Sequence, residues 1–431
     1  MDKALPQTKL SRANVVGKAI VKIGVVKGKH YLSNKDKSQT HEEVADIIFN
    51  ALGELKGVSV KIAQHIALGM PFLPPEYLEK ISESFNSIPS INKALVRKII
   101  KTELGNYPQE LFDNFNMNAF AAASLGQVHQ AQSKNQKLAV KVQYPGIKQS
   151  IYTDMTLVHF ALKRFAKGQN IDHIISEIQE RLFEEVDYLL EAQNYDFFKK
   201  NLTNKNIIVP DVLPNLTTSK VITTSFLEGL SFQDYLVTKP SQQEKDYYAQ
   251  LIFDNYFESL YKLKMIHADP NPGNFLFLSD GKLGLIDFGC IKKIDEKFLS
   301  SYTALHIDLF NEVEDEILVQ HYHELGMIEE DTLEKMLHFY QEVIKPLDRL
   351  YIEPLQNKSY DFGVHNNFSK KGFELIFEVQ KKQFNSVHQV NEDYLFLDRT
   401  LIGYYALFEK MGAKIETKKV KKLMFEYTKG E

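Results

Sequence analysis

The chain has 431 residues, of which 44% are apolar and 25% charged; this fits a globular protein of two or three lobes and excludes the disordered and fibrous classes. Its 52 basic and 56 acidic residues leave a net charge of −4, which argues against nucleic acid as a partner. One cysteine, Cys290, cannot close an internal disulfide, no apolar run reaches the roughly 20 residues of a membrane span, and Met1 to Leu10 lacks a secretion signal's apolar core, so a cytoplasmic or peripheral membrane location is expected.

Val15 to Val26, with Lys18 and Lys22, has the make-up of a helix that lies on a membrane interface. Val44, Ile47, Ile48, Leu52 and Leu55 recur at spacings of three and four, the apolar face of another helix. Pro71, Pro74 and Pro75 close the next helix, and Pro89 marks a further break. The texture changes near Tyr107, where Phe115 to Phe120, Gln127 to Gln132 and Lys137 to Gln143 read as strands. One long helix is expected from about Ile171 to Phe198, with Ile171, Ile174, Ile178 and Leu182 on a stripe. Lys220 to Phe226 is another β-branched run. From Gln243 the pattern is helical, broken by hairpin-like pieces at Phe275 to Leu278 and Lys282 to Ile286. This order predicts an α+β protein: a helical extension over 1–105, a β-rich lobe over 106–228 and a helical lobe over 229–431. The basic run Lys418-Lys419-Val420-Lys421-Lys422 is either solvated charge or a contact for anionic lipid.

Two segments carry chemistry. Residues 267–274 read His-Ala-Asp-Pro-Asn-Pro-Gly-Asn, and 286–289 read Ile-Asp-Phe-Gly. The protein-kinase catalytic loop has the same Asp-to-Asn offset, and its Asp-Phe-Gly follows across a hairpin. Phosphoryl transfer needs oxygen ligands for Mg²⁺ and a carboxylate beside the attacking hydroxyl or water. Asn274 and Asp287 suit the metal, and Asp269 the base. Lys141, in Leu138-Ala139-Val140-Lys141-Val142, sits where a kinase places its phosphate-gripping lysine; a helical glutamate among Glu180, Glu184, Glu185 and Glu191 would hold it. Dinucleotide and P-loop fingerprints are absent. In place of a glycine-rich loop stands Ala121-Ala122-Ala123-Ser124-Leu125-Gly126, where each Cβ resists the positive φ that lets a loop hug phosphate. No arginine precedes Asp269 and no Ala-Pro-Glu follows Asp287. His321 and His323 fall on different helical faces and make no metal site.

Together with Lys141-Val142-Gln143-Tyr144-Pro145-Gly146, Glu185-Val186-Asp187-Tyr188, Glu191-Ala192, Lys61-Ile62-Ala63-Gln64 and Leu73-Pro74-Pro75-Glu76-Tyr77, these segments resemble the UbiB/AarF family of atypical kinase-like proteins, over roughly residues 45 to 300 and with an echo at Leu397-Asp398-Arg399-Thr400. The resemblance implies a protein-kinase-like bilobal fold with the N-terminal helical extension over the cleft. It implies ATP or ADP and Mg²⁺ as ligands, and a role in ubiquinone or other lipid metabolism beside lipid-biosynthesis proteins. By position, Lys141 and Glu191 would pair at the phosphates, Ala121, Ala122, Ala123 and Ser124 would border the nucleotide, and Glu185 and Asp187 would face Lys61 and Gln64 of the extension. Ala63 departs from the family's glycine. Glu185 and Asp187, two apart, can face one site only if their helix starts or bends there. A nucleotide-binding regulatory pseudokinase module and a small-molecule kinase of the aminoglycoside or choline type are the rival readings; the extension and the alanine run speak against the second.

Overall fold

The structure, a computed structural model, describes residues 14–15, 17–26, 43, 47, 50–51, 91–123, 125–162, 171–365, 367–381 and 391–430. Most of the expected helix at Val44 to Leu55, the proline cluster, Lys61, Gln64 and Ser124 lie outside these residues. The chain divides into two compact units, one of residues 1–192 with 211–226, the other of 193–210 with 227–431.

The first unit is built on a five-stranded antiparallel sheet. In it β1 (Asn114–Phe115) and β2 (Ala121–Ala123) both pair with β3 (Gly126–Ser133), β3 with β4 (Gln136–Gln143), and β4 with β6 (Val221–Ser225). β3 and β4 are joined by Lys134 and Asn135, both at positive φ (48° and 65°), the conformation of a two-residue hairpin turn whose twist suits the strands. That turn sets the register, and the register sets the faces. Leu138, Val140 and Val142 alternate into a core shared with Val96, Ile100, Ile151 and Leu182. Each fully buried side chain contributes about 1.5–3 kcal/mol.

Three expectations change here. The strand read over Phe115 to Phe120 stops at Phe115, because the Asn116 side chain accepts from the Asn118 amide (3.0 Å) and turns the chain. The alanine run is a strand rather than a loop, paired Ala121 to Val128 and Ala123 to Gly126. The long helix is two helices, Ile171–Glu185 and Tyr188–Asn201. Asp187 starts the second by accepting from the amides of Leu189 (3.1 Å) and Leu190 (3.3 Å), so an N-cap does what no proline or glycine announces.

In the second unit, β5 (Ile207–Ile208), β7 (Gly229–Leu230), β9 (Phe275–Leu278) and β10 (Leu283–Leu285) form a four-stranded sheet. Two further pairs, β8 (Met265–His267) with β11 (Ile291–Lys293) and β12 (Ser359–Asp361) with β13 (Lys414–Glu416), consist of strands too short for alternation to reveal. The rest of this unit is mainly helical, the longest helix among the described residues being Glu392–Met411. Ser241 and Glu244 form a reciprocal capping box that starts the helix Gln242–Glu258.

The C-terminal helix Lys418–Lys429 is docked. Lys419 bridges Asp254 (3.0 Å) and Glu258, Lys421 donates to the Gln356 carbonyl (2.9 Å) above the Phe310 ring, and Lys422 pairs with Glu426 (3.3 Å). Of the basic run, read above as either solvated charge or a lipid contact, Lys419 and Lys421 are engaged within the protein, while Lys422 stays largely exposed. Residues 17–26 are helical, burying Ala19 and Ile23 while Ile20, Val21 and Val25 stay exposed. Among the described residues no helix is long and apolar enough to cross a membrane.

Candidate active site

In the first unit, strand alternation turns Lys141 to the sheet face opposite Leu138, Val140 and Val142, in register with Val128. Its Nζ donates to both carboxylate oxygens of Glu191, at 2.9 and 3.0 Å. Glu191 is 1% and Lys141 17% exposed, so the pair is screened little by solvent. The same Nζ stands 5.1 Å from the centre of the buried Tyr188 ring. Of the four candidate glutamates, then, the structure brings Glu191 to Lys141. Glu180 is exposed, Glu184 pairs with Arg181 (2.8 Å) and Glu185 is buried at the end of its helix.

Two residues without a role in the sequence reading shape this corner. Gln143 reaches from the end of β4 to the Val186 carbonyl (2.9 Å), holding the break between the two helices. Gly126 admits no side chain, since a Cβ there would stand 2.5 Å from the Val142 carbonyl oxygen and 2.8 Å from the Tyr188 hydroxyl. Close approach of Tyr188 to the sheet, beside the lysine–glutamate pair, depends on that glycine.

The second unit gathers Asp269, Asn274 and Asp287, chiefly through backbone bonds. Asp269 Oδ1 accepts from the Asn271 amide (3.2 Å), and Asn271 Oδ1 from the Gly273 amide (2.9 Å), giving two successive side-chain-closed turns. Asn274 Nδ2 donates to the Asp269 carbonyl (3.1 Å), while the Ile286 amide donates to the Asn274 carbonyl (3.1 Å) and ties the loop to Asp287. Asp287 Oδ1 accepts from the Gly289 amide (2.9 Å), and the His267 ring hydrogen-bonds through Nε2 to the Asp287 carbonyl. Phe288 is fully buried against Tyr195 and Phe198, with ring centres 4.5 and 5.2 Å away. Tyr195 and Asn194 donate to the carbonyls of Ile286 and Phe288. The aspartate is thus held from both sides of its chain. His267, Asn194 and Tyr195 were missed as contributors; they act through backbone carbonyls, which no side-chain motif records.

Among the described residues no three or more His, Cys, Asp or Glu side chains are arranged as a metal cage. Asn274 and Asp287 nonetheless fit Mg²⁺. With Asn274 Nδ2 given to the Asp269 carbonyl, its Oδ1 is the atom that would face a cation, and two protein oxygens would suit an ion that keeps waters and binds phosphate. Lys61, Gln64 and Ser124, which the sequence reading placed opposite Glu185 and Asp187 or beside the nucleotide, lie outside the described residues.

The ABC1 atypical kinase-like domain matches residues 83–321, more than half of the chain. The probable serine/threonine-protein kinase abkA of Dictyostelium discoideum is 28% identical over 394 residues, covering 86% of this chain and 69% of that one. The mitochondrial atypical kinase COQ8 of Saccharomyces cerevisiae is 32% identical over 267 residues, 60% of this chain but 53% of its own length. Among solved structures, the Rv3197–erythromycin complex from Mycobacterium tuberculosis superposes with a TM-score of 0.60 at 23% identity, covering 91% of this chain and 98% of that one, a likeness of fold. A lysine–glutamate pair off an antiparallel sheet and an Asp-Asn loop tied to Asp-Phe-Gly are what a kinase-like fold requires, and the matched segment contains both. The chain is a member of the UbiB/AarF family of atypical kinase-like proteins, with a kinase-like fold.

Proposed function

We propose that the protein binds ATP with Mg²⁺ and turns it over as an atypical kinase or ATPase of the UbiB type. The observation that carries the reading is the Asp269–Asn274–Asp287 arrangement, in which each residue is bonded to the backbone of the same short loop or of the strand end beside it. Mg²⁺, when bound with the nucleotide, neutralises charge on the phosphate oxygens. Lys141 would grip the phosphates, and Glu191 would keep its ammonium charged and aimed. Asn274 and Asp287 would supply oxygen ligands. Asp269 would accept the proton of an attacking hydroxyl or water at its carboxylate. Ala121 to Ser124 would border the nucleotide.

Thermal shifts with ATP, ADP and GTP, each with and without Mg²⁺, test the binding, since a ligand of the folded state raises stability with the logarithm of its concentration over its Kd. Phosphate release from labelled ATP tests the turnover. A Mg²⁺-dependent shift without release would favour the regulatory module instead. Service to ubiquinone or other lipid metabolism rests on the family resemblance; unchanged quinone and lipid content in cells lacking the protein would remove it.

Two narrower proposals accompany this one. Lys61 and Gln64 would cap the site against Glu185 and Asp187 and keep protein substrates out. Lys61→Ala should then alter ATP turnover or permit autophosphorylation. Attachment to an anionic membrane is supported by the exposed Ile20, Val21 and Val25 beside Lys18 and Lys22. Co-sedimentation with anionic vesicles that falls with salt checks it.

A further inference from the structure

The helix Glu392–Met411 contains a glycine that its own backbone does not need. Gly403 lies in mid-helix and is not among the glycines at positive φ, and glycine there weakens a helix relative to alanine. The reason lies outside the helix. A Cβ at position 403 would stand 2.2 Å from Cγ and 2.9 Å from Cβ of Pro270, closer than non-bonded atoms approach. Pro270 directly follows Asp269. The next helical residue, Tyr404, is buried and donates its hydroxyl to the carbonyl of His267 at 3.0 Å, two residues before Asp269. Burial first, and then the nearby Asp269 charge, hold the Tyr404 phenol well above its usual range, so it remains a donor. Adjacent positions of one helix therefore grip the chain on both flanks of the carboxylate.

The helix is itself fixed in rotation. Tyr302 donates to Asp398 Oδ1 (3.2 Å), Tyr256 to the Leu397 carbonyl (3.1 Å), and Lys292 of β11 pairs with Asp393 (2.7 Å). A rigid, buried element pressed against a loop of side-chain-closed turns determines where that loop sits.

We propose that Gly403 and Tyr404 are positioning residues for Asp269, seating the 267–271 segment so that the carboxylate meets the attacking group. This rests on the kinase or ATPase reading above. Positioning predicts a particular kinetic signature. Tyr404→Phe removes one hydroxyl from a packed ring and should lower kcat for phosphate release by roughly 10- to 100-fold, the scale on which small misplacements of a reacting group act. KM for ATP, the Mg·ATP thermal shift and the unfolding midpoint should stay near wild type. Gly403→Ala should lower kcat further, and adding Pro270→Ala, which removes the crowding Cγ, should restore part of the loss.

The experiment measures kcat, KM and thermal shift for the full-length wild type, Tyr404→Phe, Gly403→Ala and the Gly403→Ala/Pro270→Ala pair. If the wild type shows no Mg²⁺-dependent nucleotide shift or no phosphate release, the kinase reading fails and this inference falls with it. If the wild type turns over and Tyr404→Phe matches it in kcat, the positioning inference alone is overturned. A loss that appears equally in KM and stability, with no rescue by the double variant, overturns it as well. Should Gly403→Ala not fold, Tyr404→Phe decides.

Discussion

The Lys141–Glu191 corner and the Asp269–Asp287 loop are built by opposite means. The first joins residues fifty apart in the chain through a largely buried ion pair. Removing two charges from water is costly, and the geometry of the pair must offset that cost. The second joins near neighbours through backbone amides donated to Asp and Asn side-chain oxygens and through carbonyl acceptors, and much of its order is local. The difference separates the failures expected of each. Damage to the corner should appear in stability as well as in binding, whereas damage to the loop should appear in metal use and turnover with the fold intact.

The largest effect is expected in the loop. Asp287→Asn keeps the oxygen that accepts from Gly289 but presents a neutral amide where a hard dication needs a carboxylate. Mg²⁺-dependent stabilisation by ATP should vanish, and phosphate release should fall by roughly 100-fold or more, with the apo unfolding midpoint nearly unchanged. Wild-type-like Mg·ATP binding in this variant would remove Asp287 from the site.

The corner answers to a double-mutant cycle. Glu191→Gln takes away the carboxylate that Lys141 pairs with, and Lys141→Met does the reverse. Each single change should destabilise by on the order of 3 kcal/mol, and the double variant by clearly less than the sum. Denaturant midpoints measure it. Strict additivity would mean that the pair is not a coupled unit, and the contrast with the loop would collapse.

A third test lies away from both regions. Burial pushes the carboxyl of Asp348 up to about 8 from its ordinary 3.8, against a smaller opposing effect of the Tyr322 hydrogen bond. The folded protein therefore holds a proton that the unfolded chain has lost. Its stabilising contribution is full below about pH 4 and is lost as pH rises through about pH 8. Within that window stability should decline by at most about 1.4 kcal/mol per pH unit on this account. Asp348→Asn should flatten the decline in a pH series of melting midpoints; parallel curves for the two proteins would exclude this group as its source.

The smallest effect concerns Asp187. Asp187→Ala removes an N-cap and should cost about 1 kcal/mol, while Asp187→Asn, which can still accept from Leu189 and Leu190, should recover most of it. If Asp187→Asn keeps the stability yet changes ATP turnover, the residue does more than cap its helix.

What could be read along the chain was whatever a local pattern encodes. Alternation in Leu138 to Val142 placed Lys141 on a strand face. The offset between Asp269 and Asn274 located the loop, because its turns close over two to five residues and leave a countable spacing, and the Asp-Phe-Gly eighteen residues on marked its partner. Tertiary packing decided the rest. Glu191 rather than Glu180, Glu184 or Glu185 meets Lys141 because Asp187 restarts the helix and Gln143 fastens the break, and neither residue looks like a stop signal. The three-residue strands β8 and β11 are too short to carry a period, so only their pairing with each other reveals them. Gly403 and Tyr404 lie more than a hundred residues from the loop they touch. A glycine explained by a distant proline, and a hydroxyl explained by a distant carbonyl, leave no periodicity and no spacing in sequence. They become legible when the chain has folded, since burial and close approach belong to pairs of segments rather than to either segment alone.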